Sequence, residues 1–304
     1  MQVQAPGAVV MIRPHHFRSN PETAADNAFQ TLGAGDVAEA ARAEFDRAVA
    51  ALRGAGVTVH DFDDRGTETP DSVFPNNWFS THAGGHVALY PMHVASRRRE
   101  RRWDVIELLK AQYRVQDVID YSGLEQDNLA LEGTGAMVLD HIGRVAYVAR
   151  SHRADPVLLE RFCTHFNFEP LVFDAADKSG RPVYHTNVLM AIGTHCALVG
   201  LPMITDPARR EMVRARLAET GRDVISLSEA QIGAFAGNAI ELSGREGRVM
   251  ALSARALKAL DPEQVARIKA GARLLPLEIP TIETAGGSVR CMIAGLHLAR
   301  RTPA

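Results

Sequence analysis

A recurring helix start constrains the fold of this chain more than any other feature. Asp155-Pro156, Asp206-Pro207 and Asp261-Pro262 each place a side-chain acceptor directly before a proline. The acid can cap the free N–H groups of a first helical turn, and the proline, which has no N–H, sits where none is needed. Gly221 and Gly271 follow where glycine would close the second and third of these helices. Another helix is expected from Asp36 to Gly54, with Glu39 as capping-box partner and Val37, Ala41, Phe45, Ala48, Val49 and Leu52 on one face. A further amphipathic helix follows Ser96, around Trp103, Ile106, Leu109 and Lys110. Between the helices lie short β-branched runs bounded by turn residues: AVVMIR, VTVHDF, HVALYP, AMVLD, RVAYVAR, VLMAIG, CALVGL, DVISL, RVMALS and RLLPLEI. Two such runs often precede a helix and a third follows it. Helix-bearing units recur at roughly 50 to 60 residues, a period that points to repeated structure. With no low-complexity linker, residues 1–304 read as a single α/β domain. It is either doubly wound or built of repeated strand-strand-helix-strand units.

Charge and cysteine usage narrow the partners. Lys and Arg number 34 against 36 Asp and Glu, a formal net charge of -2, which gives no electrostatic case for nucleic acid or an anionic membrane. A small neutral or zwitterionic molecule fits better. The N-terminal stretch MQVQAPGAVVMIRPHH has no basic segment ahead of its apolar run, and no run reaches the ~18 residues that span a bilayer. A cytoplasmic location is expected. Cys163, Cys196 and Cys291 are odd in number and far apart, so free thiols are expected rather than a disulfide framework or a zinc knuckle. The histidines, including His15, His16, His82, His86 and His93, show no metal-ligand spacing on a recognisable helix, and no metal is expected.

Chemistry concentrates in a few segments that break the apolar pattern. TIETAGGSVRCMIAGLHL, residues 281 to 298, carries Cys291 behind two glycines. That cysteine is either a small buried residue opening the last strand or a nucleophile carried on a permissive backbone. PDSVFPNNWFSTH, LEGTGAMVLD, ARSHRAD and YHTNVLMAIG add Asn76 and Asn77, Glu132, Arg153 and His185. Each alone has an ordinary structural explanation: a turn asparagine, a solvated acid, a surface arginine, a hydrogen-bonded core histidine. Together they supply a thiol to attack, a histidine to move protons, a carboxylate, and amides to hold a planar nitrogen-rich group. A papain-type Cys-His enzyme would share the first two parts but has no need of the Glu-Gly-x-Gly loop.

The order Asn-Asn, Glu-Gly-x-Gly, Ser-x-Arg, His-x-Asn, Gly-Gly-x-x-Arg-Cys resembles the pentein, or guanidine-modifying enzyme, superfamily. Its members include arginine deiminases, dimethylarginine dimethylaminohydrolases, amidinotransferases and citrulline-hydrolysing relatives. MIRPHHFRSNPETAADNAFQ, PNNWFSTH, YHTNVLMAIG and IPTIETAGGSVRCM look most like the branch of amidinotransferase-related proteins and citrulline-utilisation hydrolases. The resemblance covers nearly the whole chain. It implies a five-bladed α/β propeller of ββαβ units with its active site on the central axis, and it implies no cofactor. It also implies Cys291 as nucleophile, His185 as acid-base group and Glu132 as the carboxylate on the planar nitrogens. Arg153 is then expected on the substrate α-carboxylate, Asp71 and Arg97 as further substrate contacts, and Asn20 on an entrance loop.

Two departures bear on substrate. Where arginine deiminases carry an Asp on the guanidinium this chain has Asn77, and where they have His-x-Asp it has Asn187. Desolvating a guanidinium without a paired carboxylate is costly, so with Glu132 as the remaining acid a neutral ureido group is the easier guest. The leading expectation is hydrolysis of L-citrulline to ornithine, carbon dioxide and ammonia through an S-bound covalent intermediate. The alternatives are arginine or dimethylarginine as substrate, an amidinotransferase, and a non-catalytic binding module. The expected partner is a small amino acid, with no nucleic acid or membrane, and with homo-oligomerisation open.

Overall fold

The computed structural model describes residues 3–24, 27–31 and 37–302. Five three-stranded sheets follow one another around a ring, each built as an antiparallel pair followed by a helix and a parallel third strand. One blade holds Phe79–His82, His86–Leu89 and Asp117–Asp120, with the helix Trp103–Gln112. The next holds Val138–Asp140, Val145–Ala149 and Glu169–Phe173, with Pro156–Phe166. Then come Met190–Ile192, Cys196–Val199 and Asp223–Ser226 with Pro207–Ala218, and Ile240–Gly244, Gly247–Ser253 and Arg273–Leu277 with Pro262–Lys269. The remaining blade joins the two ends of the chain. Its inner strand, Ala294–Gly295, pairs antiparallel with Ala8–Pro14, which pairs parallel with Thr58–Asp64 across the helix Ala38–Gly54. This is the five-bladed α/β propeller that the resemblance implies. No helix among the described residues is long and apolar enough to cross a membrane.

The helix starts behave as their chemistry requires. Asp155 Oδ1 accepts from the backbone N–H groups of Val157 and Leu158 at 2.9 and 3.3 Å, and Asp206 caps Ala208 at 2.8 Å. At the third, Gln264 reaches back to the Asp261 N–H at 3.0 Å. The Ala38–Gly54 helix carries its stripe inward, with Ala41, Phe45, Ala48, Val49 and Leu52 buried against the blade that joins the two ends of the chain. Each such large side chain contributes roughly 1.5 to 3 kcal/mol of hydrophobic stabilisation. Its start differs from expectation: Val37 precedes the first turn without a side-chain cap, and Asp36 lies outside the described residues. The helices before Gly221 and Gly271 also end sooner, at Ala218 and Lys269.

All ten expected strands form, and five more join them: Phe79–His82, Asp117–Asp120, Glu169–Phe173, Ile240–Gly244 and Ala294–Gly295. Three of these five are innermost in their blades, where strands are short and lead directly out of polar turns. The apolar stretch VLMAIG divides for the same reason. Val188 and Leu189 close a helical turn, and the strand begins at Met190. Cys291 likewise stands three residues ahead of the last strand, in the turn and not in the strand.

Candidate active site

Each inner strand is entered through a tight turn, and the five turns meet at the axis. They comprise Pro75–Asn77, Gly133–Ala136, Thr186–Leu189, the segment 235–238 and the segment 288–292. Thr134 Oγ1 donates to the Asn76 carbonyl at 3.1 Å, Asn238 Nδ2 to the Asn187 carbonyl at 2.7 Å, and the Arg290 N–H to Asn238 Oδ1 at 3.1 Å. Side chains more than fifty residues apart are thereby held within hydrogen-bond reach.

The Glu-Gly-x-Gly loop has a steric explanation. Gly133 adopts φ +45°, and a Cβ there would lie 2.6 Å from the Asn76 carbonyl oxygen. A Cβ on Gly135 would run into the Asn77 amide and come within 2.9 Å of the His185 ring. Only glycine lets this turn pack against its two neighbours.

Glu132 is fully buried and organises the centre. It accepts from His185 Nε2 at 2.8 Å, from Arg153 Nη1 at 3.1 Å and from the His93 backbone N–H at 3.0 Å. Burial alone would raise its carboxyl, but the Arg153 charge, the His185 contact and Arg97 hold it well below the ordinary carboxylate range. Arg153 is 1% exposed, which removes the surface-arginine explanation, and its guanidinium lies 5.2 Å from the Tyr184 ring. Burial lowers His185 to about 4; Glu132 opposes this shift, and the charges of Arg153 and Arg97 add to it. His185 is therefore a neutral imidazole at pH 7.

Around the thiol the groups are amides. Asn187 Nδ2 lies 3.2 Å from Cys291 Sγ and Asn238 Nδ2 lies 3.4 Å from it. The Asn77 amide is oriented with its oxygen accepting from Arg97 at 2.7 and 3.1 Å and its nitrogen donating to Asn76. Arg97 also grips Glu100 through two hydrogen bonds of 3.0 and 2.9 Å and approaches Asp71 at 3.9 Å. Asn20 Nδ2 donates to Asp71 at 2.9 Å and to Ser96 Oγ at 3.0 Å. Burial pushes the Asp71 carboxyl up against the opposing pull of Arg97, and raises Glu100 to about 7 against the same guanidinium.

A cavity of about 20 Å³ is lined by Asp71, Asn77, Arg97, Arg153, His185 and Cys291. Asp71 Oδ1, Asn76 Nδ2 and Asn187 Oδ1, all buried, have no hydrogen-bond partner among the described residues. Asp71 lines the cavity, and its orphaned oxygen is one that a polar ligand there would satisfy. The structure thus gathers all nine residues singled out from sequence. It corrects one premise: Glu132 is not the only acid left, because Asp71 and Glu100 share its cluster. Sequence reasoning also missed two residues. Asn238, in GNAIEL, precedes its inner strand as Asn77 precedes FSTH, and that positional echo was the available signal. Glu100 lay hidden in the arginine run RRRERR. Cys163 and Cys196 pack in hydrophobic clusters away from the site, where burial pushes both thiols up to about 12.

A pH prediction follows from the histidines. His185 falls to about 4, while His82 and His141 are driven well below the ordinary value, in each case chiefly by burial. The unfolded chain binds protons on these imidazoles below about pH 6.5 whereas the folded chain does not, so stability is lost as pH falls from there toward 4. Chemical denaturation at pH 7, 6 and 5 is expected to show a steady drop in unfolding free energy. Replacing Arg153 with Gln should raise the acidic limb of any activity profile, since a positive neighbour of His185 is removed.

Several solved structures share the fold. The N-terminal domain of ArgZ, in a structure described as covalently bound to a reaction intermediate, aligns with a TM-score of 0.75 at 16% identity, covering 95% of this chain and 97% of that one. A further ArgZ structure names the protein as an arginine dihydrolase from the ornithine-ammonia cycle in cyanobacteria. AgrE, in a ternary complex with ornithine and NAD+, aligns with a TM-score of 0.74 at 18% identity; 95% of this chain is covered but only 39% of AgrE. A dimethylarginine hydrolase (DDAH) from Pseudomonas aeruginosa, complexed with citrulline, gives 0.64 at 14% identity over 96% and 99% of the two chains. At these identities the likeness is one of fold. No curated protein matches the sequence. Residues 13–298, nearly the whole chain, match the family model described as N,N dimethylarginine dimethylhydrolase, eukaryotic. The chain therefore belongs to that family of hydrolases acting on non-peptide carbon–nitrogen bonds, within the pentein superfamily.

Proposed function

We propose that this protein is a single-domain, cytoplasmic hydrolase that converts L-citrulline to ornithine, carbon dioxide and ammonia with Cys291 as nucleophile. The observation that carries the substrate choice is the surroundings of the sulfur. Its polar neighbours are the neutral amides of Asn187 and Asn238, while the nearest carboxylate cluster is already bound by arginines. A neutral ureido group can accept from and donate to such amides; a guanidinium would be desolvated beside them without a counter-charge. The three unpaired, buried cysteines suit a reducing compartment.

In this mechanism Cys291 Sγ attacks the ureido carbon, and its proton passes to the neutral His185. A C–S bond forms and the carbonyl oxygen takes the displaced electron pair. His185 then delivers the proton to the departing nitrogen as the C–N bond breaks, leaving an S-bound carbonyl. Water, giving a proton to His185, attacks that carbon; the C–S bond breaks with its electron pair returning to sulfur, and His185 hands its proton back to the thiolate. The released carbamate falls to carbon dioxide and the second amine. Glu132 holds His185 in its ring orientation throughout, through the 2.8 Å contact. Asp71, with one unpartnered oxygen, is proposed to take the α-ammonium group, and Arg97 and Arg153 the α-carboxylate. A cavity of about 20 Å³ is too small for an amino acid, so its lining, which includes Thr23 and Asn27, must open to admit one. A wider cavity of about 350 Å³ meets the site at Tyr184 and offers the approach.

Arginine is the second reading, favoured by the same orphaned Asp71 oxygen, which is free to accept from a cationic group. Ornithine and ammonia release from citrulline, arginine and dimethylarginine decides between them, and a higher kcat/KM on arginine would overturn the citrulline assignment. Asn187→Asp tests the charge argument directly, because it sets a carboxylate beside the sulfur. The arginine-to-citrulline ratio of kcat/KM is expected to rise by at least about tenfold. A ratio that stays within about twofold would remove the argument.

A further inference from the structure

Arg290 and Cys291 are neighbours in the chain that face different cavities. Cys291 lines the site cavity; Arg290 lines another, of about 50 Å³, that shares no residue with it. Phe79, Val138, Met190, Ile240 and Ala294, one from each inner strand, help to wall this second cavity. It therefore lies on the axis, on the strand side of the turns that carry the thiol. It has room for a few waters or one small ion.

The charges facing it are unbalanced. Arg290 Nη1 donates to the Ile293 carbonyl at 2.9 Å, and no carboxylate pairs with this guanidinium among the described residues. Glu241, the one acid in the lining, is engaged elsewhere. Its Oε2 accepts from the Thr194 N–H and hydroxyl at 2.7 and 2.5 Å, and its Oε1 lies 3.6 Å from Arg248. Gln4 spends its amide on the carbonyls of Leu139 and Ile192 and on the His141 N–H. The hydroxyl residues Ser80, Thr81 and Thr134 and two imidazoles complete the polar lining; His141 and His297 stack at 3.8 Å between ring centres. Both are kept neutral by burial, with the Arg290 charge adding to the effect; His297 falls to about 4. A cavity of about 420 Å³ shares His141 and His297 with the axial one, so these rings stand where the axis opens outward.

We propose that the axial cavity binds one small planar oxyanion, of the carboxylate or bicarbonate class, on the Arg290 guanidinium behind the catalytic thiol. A half-buried guanidinium that lines a cavity, with donors beyond the one bound to the Ile293 carbonyl and no carboxylate beside it, is an arrangement that such an anion complements. The planar fork of arginine matches two oxygens of a planar anion and fits a tetrahedral dianion in this volume poorly. The anion faces the imidazoles as well, so its arrival favours their protonated forms.

Formate and bicarbonate are the probes, followed by imidazole nitrogen NMR of the wild-type protein and by thermal shift. Saturable binding is expected to move the His141 and His297 resonances together, while sulfate leaves them in place. Arg290→Gln should weaken formate binding by at least about tenfold, and Arg290→Lys, which keeps the charge without the fork, by less. Arg153→Gln, which removes a cation from the catalytic cavity, should leave this binding unchanged. No movement of the two imidazoles at saturating formate overturns the proposal. So does a loss of binding in Arg153→Gln with none in Arg290→Lys or Arg290→Gln. The NMR reading needs no variant, so a folding failure at position 290 does not decide the matter. None of these measurements depends on turnover, and a failure of the citrulline assignment leaves them unaffected.

Discussion

Cys291→Ser is expected to lower kcat on the preferred substrate by a factor on the order of 10⁴ or more while leaving the protein folded and able to bind. Serine keeps the size of the side chain, and the 2%-exposed site needs little repacking to take it. What is lost is the sulfur. A hydroxyl has a much higher pKa, and the neutral His185 beside Glu132 is a weak base for it. The amides of Asn187 and Asn238 can still donate to the replacing oxygen, so an unchanged thermal midpoint and near-native substrate affinity are the companion results. Mass spectrometry of the wild-type protein quenched during turnover should find the added mass on Cys291 and on neither Cys163 nor Cys196. Retention of more than about one-hundredth of the wild-type kcat in Cys291→Ser would move the chemistry to another group.

Glu132→Gln is the second large effect, and it separates two losses. The carboxylate orients His185 and pairs with Arg153, so its removal takes a counter-charge from a buried guanidinium. Breaking one side of a buried pair costs about 3 to 5 kcal/mol, and a marked drop in thermal midpoint is expected. Activity should fall by roughly 10³, within the range for removing a group that orients the acid-base residue. The acidic limb should move in the direction opposite to that of Arg153→Gln. Glu132 raises the His185 pKa, so its loss lowers the limb, whereas loss of Arg153 raises it. Limbs that moved together in the two variants would show that His185 is not the group being titrated.

The variants differ in what they demand of the surrounding fold. Asn187→Asp changes one charge at the sulfur and tests selectivity, whereas Glu132→Gln disturbs a network reaching Arg153, Arg97 and Glu100. Energies in such a network are not additive, and a Glu132→Gln/Arg153→Met double variant is the proper measure of the pair.

What the sequence determined by itself was local. Asp-Pro helix starts, short apolar runs and the stripe from Ala41 to Leu52 follow from hydrogen-bond satisfaction and side-chain period within a few residues, and they are legible without tertiary information. The ordered motifs carried the superfamily and singled out nine residues that the fold brings together. The inner strands were the weak point: Phe79–His82, Ile240–Gly244 and Ala294–Gly295 are short, run out of polar turns, and are stabilised by partners supplied from far along the chain. Tertiary structure alone decided the pairings. Val9 and Val10 meet Gly295 and Ala294 only because five blades close a ring, and that closure brings Asn238 and Asn187 to the Cys291 sulfur. It alone placed Arg153 on Glu132, gave the Asn77 oxygen to Arg97, and revealed Glu100 within a run of arginines. It also turned Arg290 and Cys291 toward separate cavities. The physical reason is common to all of these. Periodicity and capping are set by neighbours three or four residues away, whereas the charge balance of a buried site is set by which of five distant turns arrives at the axis, and in which orientation.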